Sequence, residues 1–510
     1  MKTRLLLISL FVLAAILAAQ QATYDEAYRP QFHFTPEINW TNDPNGLVYH
    51  DGEWHLFYQY NPFGDLWGHM SWGHAVSSDL LRWKHLDVAL PEEDGFMIYS
   101  GSAVVDDHNT SGFGSNGQPP MVAIYTSRTE TDQHQSIAYS VDRGRTWTKY
   151  SGNPVIDIGE AAFRDPKVFW HQQTKKWIMA VVLANRRKVR FYGSPDLKRW
   201  EHLSDFGPAG AHPVSNWECP DLFELPVEGE AGETKWIFQV DSGQGHPWVG
   251  SGCQYFVGEF DGKTFRNDNP PETSLWLDWG RDFYAAQSYS NVPAQDGRRV
   301  VIGWINNWMY ARKIPTSPWR GGQSIPRELT LRRFKEGLRL TQRPVSELSS
   351  LRDEELQLFG VSVEDANREI ARLKFDGDAL EIQAEIELGS AAEVGFRLRQ
   401  GEVEGKAEET LVGYTIDPAE VYLDRTKSGA SDFDETFAGR HSARLEAKDG
   451  RVNLHILVDR SVVEVFAGDG RVAITDRIFP KPSSKGISLY SNGGSARIIE
   501  LKMWKLDSVW

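Results

Sequence analysis

The stretch SPDLKRW at residues 194–200 is one copy of a weak repeat that recurs through the first part of the chain. Each copy places an aspartate a few residues before an aromatic anchor, and the four anchors are 64, 53 and 65 residues apart. The other copies are SDLLRW at residues 78–83, SVDRGRTW at 140–147 and DGKTF at 261–265. Spacing of this order is typical of four-stranded propeller blades, and about 300 residues would hold roughly five of them.

The sequence around the repeat has an all-β character. From about Trp40 to Leu331, short alternating strands are separated by Gly, Asp, Asn and Pro, with almost no helical periodicity. We therefore predict a five-bladed β-propeller over residues 28–340. The alternative is a set of ordinary β-hairpins that share an Asp-x-x-x-Trp turn.

The character of the sequence changes after the propeller. The segment PVSELSSLR at residues 344–352 begins with proline and has apolar i, i+3 spacing, which predicts a linker with a short helix over residues 341–358. Apolar and charged residues then alternate in LEIQAEIEL at residues 380–388, and an Asp469-Gly470 turn separates two apolar runs. These strands, without helices between them, predict a β-sandwich over residues 359–510.

The first residues have the layout of a secretory signal peptide. Lys2 and Arg4 precede an apolar run from Leu5 to Leu17, which is shorter than the ~20 residues a membrane-spanning helix needs. We predict that residues 1–22 are cleaved and that the protein is secreted, extracellular or periplasmic, with no membrane contact afterwards. The cleavage position stays open.

The composition of the chain indicates which classes of binding partner to expect. The formal net charge of −15 repels nucleic acid and anionic lipid, so no nucleic-acid partner is expected. The 19 tryptophans and 17 tyrosines favour a sugar ligand, because aromatic faces suit sugar rings. The two cysteines, Cys219 and Cys253, are either bridged or free, and the oligomeric state stays open.

Three acidic residues stand in rigid, aromatic-rich segments. Asp43 lies in WTNDPNG at residues 40–46, Asp165 in FRDPK at 163–167 and Glu218 in WECPD at 217–221. Each is followed by Pro or Cys-Pro and preceded closely by an aromatic residue. Taken singly, each segment is explained by a common turn. Together they match the need of glycosidic bond cleavage for an acid and a second carboxylate.

These segments, in this order, resemble the signatures of glycoside hydrolase family 32, the invertase, inulinase and levanase family. Further matches are FYQYNP at residues 57–62, WGHAVS at 72–77, YSGS at 99–102, GWINNW at 303–308 and VDRSVVEVF at 458–466. The likeness runs from about residue 28 to the C-terminus. It implies a five-bladed propeller with a funnel-shaped active site at its axis, followed by a β-sandwich.

The resemblance also implies roles. Asp43 would be the nucleophile, Glu218 the general acid and base, and Asp165 the stabiliser of the oxocarbenium-like transition state. We expect Trp217, Cys219 and Pro220 to exclude water from Glu218 and favour its protonated form. We expect amide donors from Asn42 or Asn45 to keep Asp43 ionised, and Arg164 to keep Asp165 charged.

The family pattern further nominates residues that bind fructose through hydroxyl contacts or ring stacking. These are Trp40, Asn42, Gln59, Trp67, Tyr99, Ser100, Arg164 and Trp308, with Trp319 as a weaker nominee. Blade packing is the alternative role of the tryptophans. No cofactor is expected, and no metal site, because His69 and His74 have no further ligands at metal spacing.

The leading hypothesis is an exo-acting β-fructosidase that releases terminal fructose from levan, inulin or sucrose with retention. The segments WGHMSW at residues 67–72 and GRDFYAAQ at 280–287 look closer to secreted levanases and exo-inulinases than to strict sucrases. A fructosyltransferase, a non-catalytic fructan-binding propeller and an inverting arabinan-degrading propeller are the alternatives. The preference for β-2,6 or β-2,1 linkages is set by loop shape and stays open.

Overall fold

The computed structural model describes residues 23–211 and 216–510. The predicted signal peptide, residues 1–22, lies outside the described residues. The described chain consists almost entirely of β-strands, which confirms the all-β prediction. Five sheets form a propeller, and two further sheets form a β-sandwich.

The blades follow one another along the chain. Blade one contains β1 (Asn39–His50), β2 (Glu53–Asn61), β3 (Ser71–Ser77) and β4 (Lys84–Leu90). Blade two contains β5 (Met97–Val105), β6 (Met121–Arg128), β7 (Gln133–Ser140) and β8 (Thr148–Lys149). Blade three contains β9 (Phe163–His171), β10 (Lys176–Leu183), β11 (Lys188–Ser194) and β12 (Glu201–Phe206).

Blade four contains β13 (Trp217–Pro226), β14 (Thr234–Ser242), β15 (Gly252–Phe260), β16 (Phe265–Asn267) and β17 (Leu275–Trp276). Blade five contains β18 (Tyr284–Ser288), β19 (Arg299–Trp304), β21 (Arg327–Phe334) and β22 (Gly337–Pro344). The short strand β20 (Trp319–Arg320) lies between β19 and β21 in sequence. It pairs in parallel with β1 and so joins the sheet of blade one. A 3-10 helix, Ala184–Arg186, connects β10 and β11.

The first strand of each blade lies at the propeller axis. These strands, β1, β5, β9, β13 and β18, pack against one another in a closed ring. Backbone hydrogen bonds close the ring between blades five and one, where the Ser290 amide donates to the Leu47 carbonyl and the Tyr49 amide donates to the Ser290 carbonyl. The predicted five-bladed propeller is therefore confirmed.

The repeat that indicated the blades is a hairpin turn between the third and fourth strands of blades one to four. In the first copy, Oδ1 of Asp79 accepts hydrogen bonds from the amides of Leu81 (3.0 Å) and Arg82 (2.8 Å). Asp196 and Asp261 bond the amides two and three residues ahead in the same way. The aspartate therefore stabilises the turn, and the aromatic anchor follows it into or beside the fourth strand.

The sandwich has a six-stranded and a five-stranded sheet. The first contains β23 (Arg352–Ser362), β24 (Ala379–Glu387), β29 (Arg451–Asp459), β30 (Val462–Ala467), β31 (Val472–Arg477) and β33 (Arg497–Leu506). The second contains β25 (Glu393–Val403), β26 (Lys406–Thr415), β27 (Glu420–Lys427), β28 (Arg440–Arg444) and β32 (Gly486–Asn492). A core of Leu, Ile and Val side chains fills the space between them.

Two details of the predicted second domain need correction. The connector is a 3-10 helix, Ser346–Leu351, and β23 begins directly after it at Arg352, earlier than the predicted domain start at residue 359. An α-helix, α1 (Val363–Leu373), follows β23, although none was expected. The Ser362 hydroxyl caps α1 by accepting a hydrogen bond from the Asp365 amide at 3.0 Å.

Buried ion pairs join the two domains. His33, which precedes β1, contacts Asp459 through Nδ1 at 2.9 Å and Glu464 through Nε2 at 3.1 Å. Arg327 of β21 contacts the same Glu464 at 2.9 Å and Asp278 at 2.8 Å. All of these side chains are excluded from solvent. The interface therefore fixes the sandwich against blades one and five.

Candidate active site

One polar residue near the start of each axial strand lies at the same end of the propeller axis. These residues are Asp43 on β1, Ser100 on β5, Asp165 on β9, Glu218 on β13 and Tyr284 on β18. Hydrogen bonds connect Ser100 with Asp43 and Tyr284 with Glu218. Because the axial strands run side by side, their first residues meet in one place.

A β-bulge at the same level of all five axial strands presents these side chains. At this level each axial strand has one extra residue relative to its partner, between Thr41 and Pro44, Ile98 and Gly101, Arg164 and Lys167, Glu218 and Asp221, and Tyr284 and Gln287. Bulges change the direction of side chains and are frequent beside active sites. Proline is tolerated there because a bulge interrupts the hydrogen-bond ladder. This explains the proline that follows each of the three acidic residues, directly or after one cysteine.

Asp43 is held by three donors. Asn42 Nδ2 donates to Oδ1 at 3.0 Å, Ser100 Oγ donates to Oδ2 at 2.5 Å, and the Cys219 thiol lies 3.5 Å from Oδ2. Asn45 does not take part, since its side-chain oxygen accepts from the Gly101 amide and its Nδ2 has no hydrogen-bond partner among the described residues. Burial raises the pKa of Asp43, and the charge of Glu218 adds to this, although the hydrogen bonds from Ser100 and Asn42 oppose it. The hydrogen bonds therefore favour the ionised form of Asp43, as expected, but they do not fully offset the effect of burial on its pKa.

Asp165 differs from its expected state. Its Oδ2 accepts a hydrogen bond from the Cys219 amide at 3.1 Å and lies 3.8 Å from Nε of Arg164. Burial, together with the carboxylates of Glu218 and Asp43, raises the pKa of Asp165 to about 7, against the opposing effect of Arg164. The expectation that Arg164 keeps this carboxyl charged is not met, because burial and the two carboxylates outweigh the effect of Arg164, which makes its hydrogen bonds with Glu218 and Gln133.

Glu218 is surrounded by polar groups, not by the apolar shield expected from its neighbours. Arg164 Nη2 donates to Oε1 at 2.8 Å, and the Tyr284 hydroxyl donates to Oε2 at 2.5 Å. Its side chain keeps 20% of its surface exposed. Trp217 is completely buried in the blade core, because successive residues of a strand point to opposite faces. The carboxyl is thus fixed in place and remains accessible to a ligand.

Ten of the twelve predicted site residues line one pocket of about 280 Å³. The three carboxyls share it with the predicted ligand-binding residues Asn42, Gln59, Trp67, Tyr99, Ser100, Arg164 and Trp308. The pocket opens at the end of the axis where the bulges lie. Its size suits a single sugar ring, since pockets for larger ligands measure about 300 to 1,000 Å³.

Two predicted tryptophans do not line the pocket. Trp40 is completely buried, donates its indole N–H to Oδ1 of Asn42 at 2.7 Å and stacks on Trp308 with ring centroids 6.0 Å apart. It therefore supports two lining residues from behind. Trp319 is also buried, with the guanidinium of Arg29 4.6 Å from its ring centroid, so it belongs to the packing of the fold.

Sequence reasoning missed four residues of the site. Arg128, Gln133 and Arg312 also line the pocket, and Tyr284 holds Glu218. Tyr284 lies in the segment GRDFYAAQ, whose likeness to exo-acting fructanases was a usable signal. The other three lie in no distinctive motif.

A larger cavity of about 420 Å³ opens where the axial strands end, opposite the pocket. It holds an ion pair between Lys167 and Asp221 at 3.2 Å but none of the three predicted catalytic carboxyls. Among the described residues, Asp132, His134 and Asp157 place potential metal ligands within 4.8 Å of one another at the surface. No side chain of this group lines the pocket.

Comparison with known proteins identifies the family of both domains. Residues 33–344 match the N-terminal domain of glycosyl hydrolases family 32, and residues 347–505 match its C-terminal domain. The chain is 52% identical over 498 residues to the levanase of Bacillus subtilis (strain 168), covering 97% of this chain and 72% of the levanase. It is 41% identical to the extracellular exo-inulinase of Aspergillus awamori, covering 99% and 98% of the two chains.

Comparison with solved structures gives the same result as the sequence comparison. The crystal structure of exo-inulinase from Aspergillus awamori superimposes with a TM-score of 0.88 at 40% identity, over 96% of this chain and 100% of that chain. The fructofuranosidase from Schwanniomyces occidentalis in complex with fructose has a TM-score of 0.86 at 32% identity, over 95% and 99% of the chains. In the part of the chain that the structure describes, no helix is long and apolar enough to cross a membrane. The chain belongs to glycosyl hydrolase family 32.

Proposed function

We propose that this protein is an exo-acting β-fructosidase that hydrolyses terminal fructose from levan, inulin or sucrose with retention of configuration. The observation that carries this proposal is the convergence of Asp43, Asp165 and Glu218 in one pocket of single-ring size. The names of its relatives, levanase and exo-inulinase, support the substrate class. A pocket of single-ring size supports exo action, because it accommodates one terminal unit of a chain.

In the first step, Glu218 donates its proton to the glycosidic oxygen while a carboxylate oxygen of Asp43 attacks the anomeric carbon of fructose. The bond to the leaving group breaks, and an ester bond to Asp43 forms. Asn42 and Ser100 orient Asp43 through their hydrogen bonds, and Tyr284 and Arg164 orient Glu218. This arrangement places the attacking and the proton-donating groups on different axial strands.

In the second step, the Glu218 carboxylate removes a proton from water, and the resulting oxygen attacks the anomeric carbon. The ester bond breaks, fructose is released and Asp43 returns to its carboxylate form. Asp165 stabilises both transition states through hydrogen bonds to fructose hydroxyls. With its pKa raised to about 7, Asp165 can donate as well as accept such bonds near neutral pH.

The pocket divides recognition of fructose between polar and aromatic groups. Gln59, Asn42 and Ser100 offer hydrogen-bonding groups on one side, and Trp67, Tyr99 and Trp308 form the aromatic wall. No residue of the sandwich lines the pocket in the described chain, which supports the propeller, predicted as residues 28–340, as the catalytic domain. Secretion, extracellular or periplasmic, is part of the proposal and is supported by the extracellular exo-inulinase relatives.

Incubation of the purified protein with levan, inulin and sucrose in parallel tests the proposal. Sugar analysis over time should show free fructose as the first product from each polymer. Intermediate oligosaccharides at early times would contradict exo action, and new oligosaccharides at high sucrose would indicate a fructosyltransferase. The anomeric form of the first fructose released, read by NMR, distinguishes retention from inversion.

A further inference from the structure

Exposed apolar side chains lie close in sequence to residues that line the pocket. In the described chain, Phe63 has 76% of its surface exposed, Leu66 52% and Met309 37%. Leu66 directly precedes Trp67, and Met309 directly follows Trp308, and both tryptophans line the pocket. Exposed apolar groups that adjoin a binding site are typical of ligand-binding grooves.

The loop that carries Phe63 and Leu66 is held in place. Asn61 accepts a hydrogen bond from the Phe63 amide at 2.9 Å and donates one to the Leu66 carbonyl at 2.7 Å. Asp65 forms an ion pair with Arg320 at 3.0 Å. The Gly64 carbonyl accepts from the Trp40 amide at 3.0 Å, behind the pocket. The exposure of Phe63 is therefore a property of an ordered loop.

The ring of Phe63 keeps its faces open. It contacts His69 edge to face, with centroids 5.3 Å apart and planes at 85°, and His69 is fixed by Glu92 at 2.7 Å. A fixed aromatic ring with an accessible face suits stacking against the C–H groups of a sugar ring. The rim on the side of Arg128 and Gln133 is polar, and Arg128 lies over the Tyr99 ring at 5.4 Å.

We propose that Phe63, Leu66 and Met309 bind the fructosyl units that follow the one in the pocket. This inference rests on the proposed function, because it takes a fructan as the substrate. A pocket of about 280 Å³ holds one ring, so the remaining units of a polymer must cross the rim. Leu66 and Met309 adjoin the pocket and meet the first of these units. Phe63 lies further along the loop and meets the units beyond it.

Sucrose has only one unit beyond its fructose, so Phe63 should distinguish polymer from sucrose. We expect Phe63→Ala to lower kcat/KM on levan about three- to tenfold, through a higher KM, because one aromatic stacking contact is lost. Its kcat/KM on sucrose should change less than about twofold. Phe63→Tyr retains the ring and should restore activity on levan. Initial rates over a range of substrate concentrations measure all three variants.

Phe359→Ala is the matched control, because Phe359 is 58% exposed on the sandwich and far from the pocket in sequence and fold. It should behave like the parent on both substrates. An unchanged kcat/KM on levan in Phe63→Ala, or an equal loss on levan and sucrose, would overturn the inference. A parent enzyme without activity on either substrate would instead contradict the proposed function. Melting temperatures verify that each variant is folded.

Discussion

The hydroxyl of Tyr284 donates a hydrogen bond of 2.5 Å to Oε2 of Glu218. Tyr284 opens axial strand β18, and Glu218 lies on the neighbouring axial strand β13. The second carboxylate oxygen accepts from Arg164 on β9, so the strands on both sides fix the orientation of Glu218. The arrangement of the axial strands therefore fixes the position of the Glu218 carboxyl.

Replacing Tyr284 by phenylalanine should impair catalysis without unfolding the protein. A hydrogen bond to a charged group contributes about 1.5 to 3 kcal/mol, so we expect kcat/KM to fall about ten- to hundredfold. Tyr289→Phe is the control, because the buried Tyr289 hydroxyl has no hydrogen-bond partner among the described residues. Steady-state kinetics on sucrose should show full activity for the control. Equal activities of the two variants would show that Tyr284 does not orient Glu218.

Asp165→Asn should stabilise the protein at neutral and alkaline pH while impairing activity. Burial raises the pKa of Asp165 from its ordinary value of 3.8 to about 7 in the folded state. The parent therefore loses stability as pH rises from about 4 to about 7, since the unfolded chain ionises more readily than the folded one. The difference in melting temperature between variant and parent should grow over this range. A constant difference between pH 4 and pH 8 would be inconsistent with this environment.

His33 should stabilise the domain interface in a pH-dependent way. Burial alone would lower its pKa, but hydrogen bonds with Asp459 and Glu464 raise it to about 9. The stabilisation is complete below about pH 6.5 and is lost as pH rises through 9. His33→Ala leaves the buried Asp459 carboxylate without its cation, while Glu464 keeps Arg327, and should cost about 3 to 5 kcal/mol at pH 6. Denaturant unfolding at pH 6 and pH 9.5 should show a smaller cost at the higher pH.

The two cysteines should react only after unfolding. Cys219 and Cys253 are both unpaired and buried, and burial raises the pKa of each thiol well above its usual range. Ellman's reagent should therefore find no accessible thiol in the native protein and two in guanidinium chloride. A count of zero in denaturant without reductant would indicate a disulfide.

The fold could be predicted because a propeller is built from local hairpins. Each blade pairs strands that are close in sequence, so the alternating pattern and the Asp-x-x-x-Trp turn are visible along the chain. The strand β23 was missed because RDEELQLFGVS forms an edge strand with mostly solvent-exposed positions and no alternation. The helix α1 had a usable signal, since Ser362 is followed by Asp365 in a capping arrangement.

The site residues could be predicted where one short motif contains both the carboxyl group and the residues that form the bulge. The prolines after Asp43 and Asp165 and the Cys-Pro after Glu218 mark the bulges that present the carboxyls. Tyr284 and Arg128 reach the site from other blades, and no local pattern records contacts between blades. The ionisation of Asp165 depends on burial and on the carboxylates of Glu218 and Asp43 as well as on Arg164, and only Arg164 is its neighbour in sequence.

The central claim is that Asp43 attacks the substrate in a pocket it shares with Asp165 and Glu218. The most direct measurement is the rate of fructose release from sucrose by Asp43→Asn, compared with the parent at equal concentration of folded protein. The amide keeps the size of the side chain but is a poor nucleophile, so we expect a loss of at least about a thousandfold. A variant that releases fructose within tenfold of the parent rate would contradict the claim.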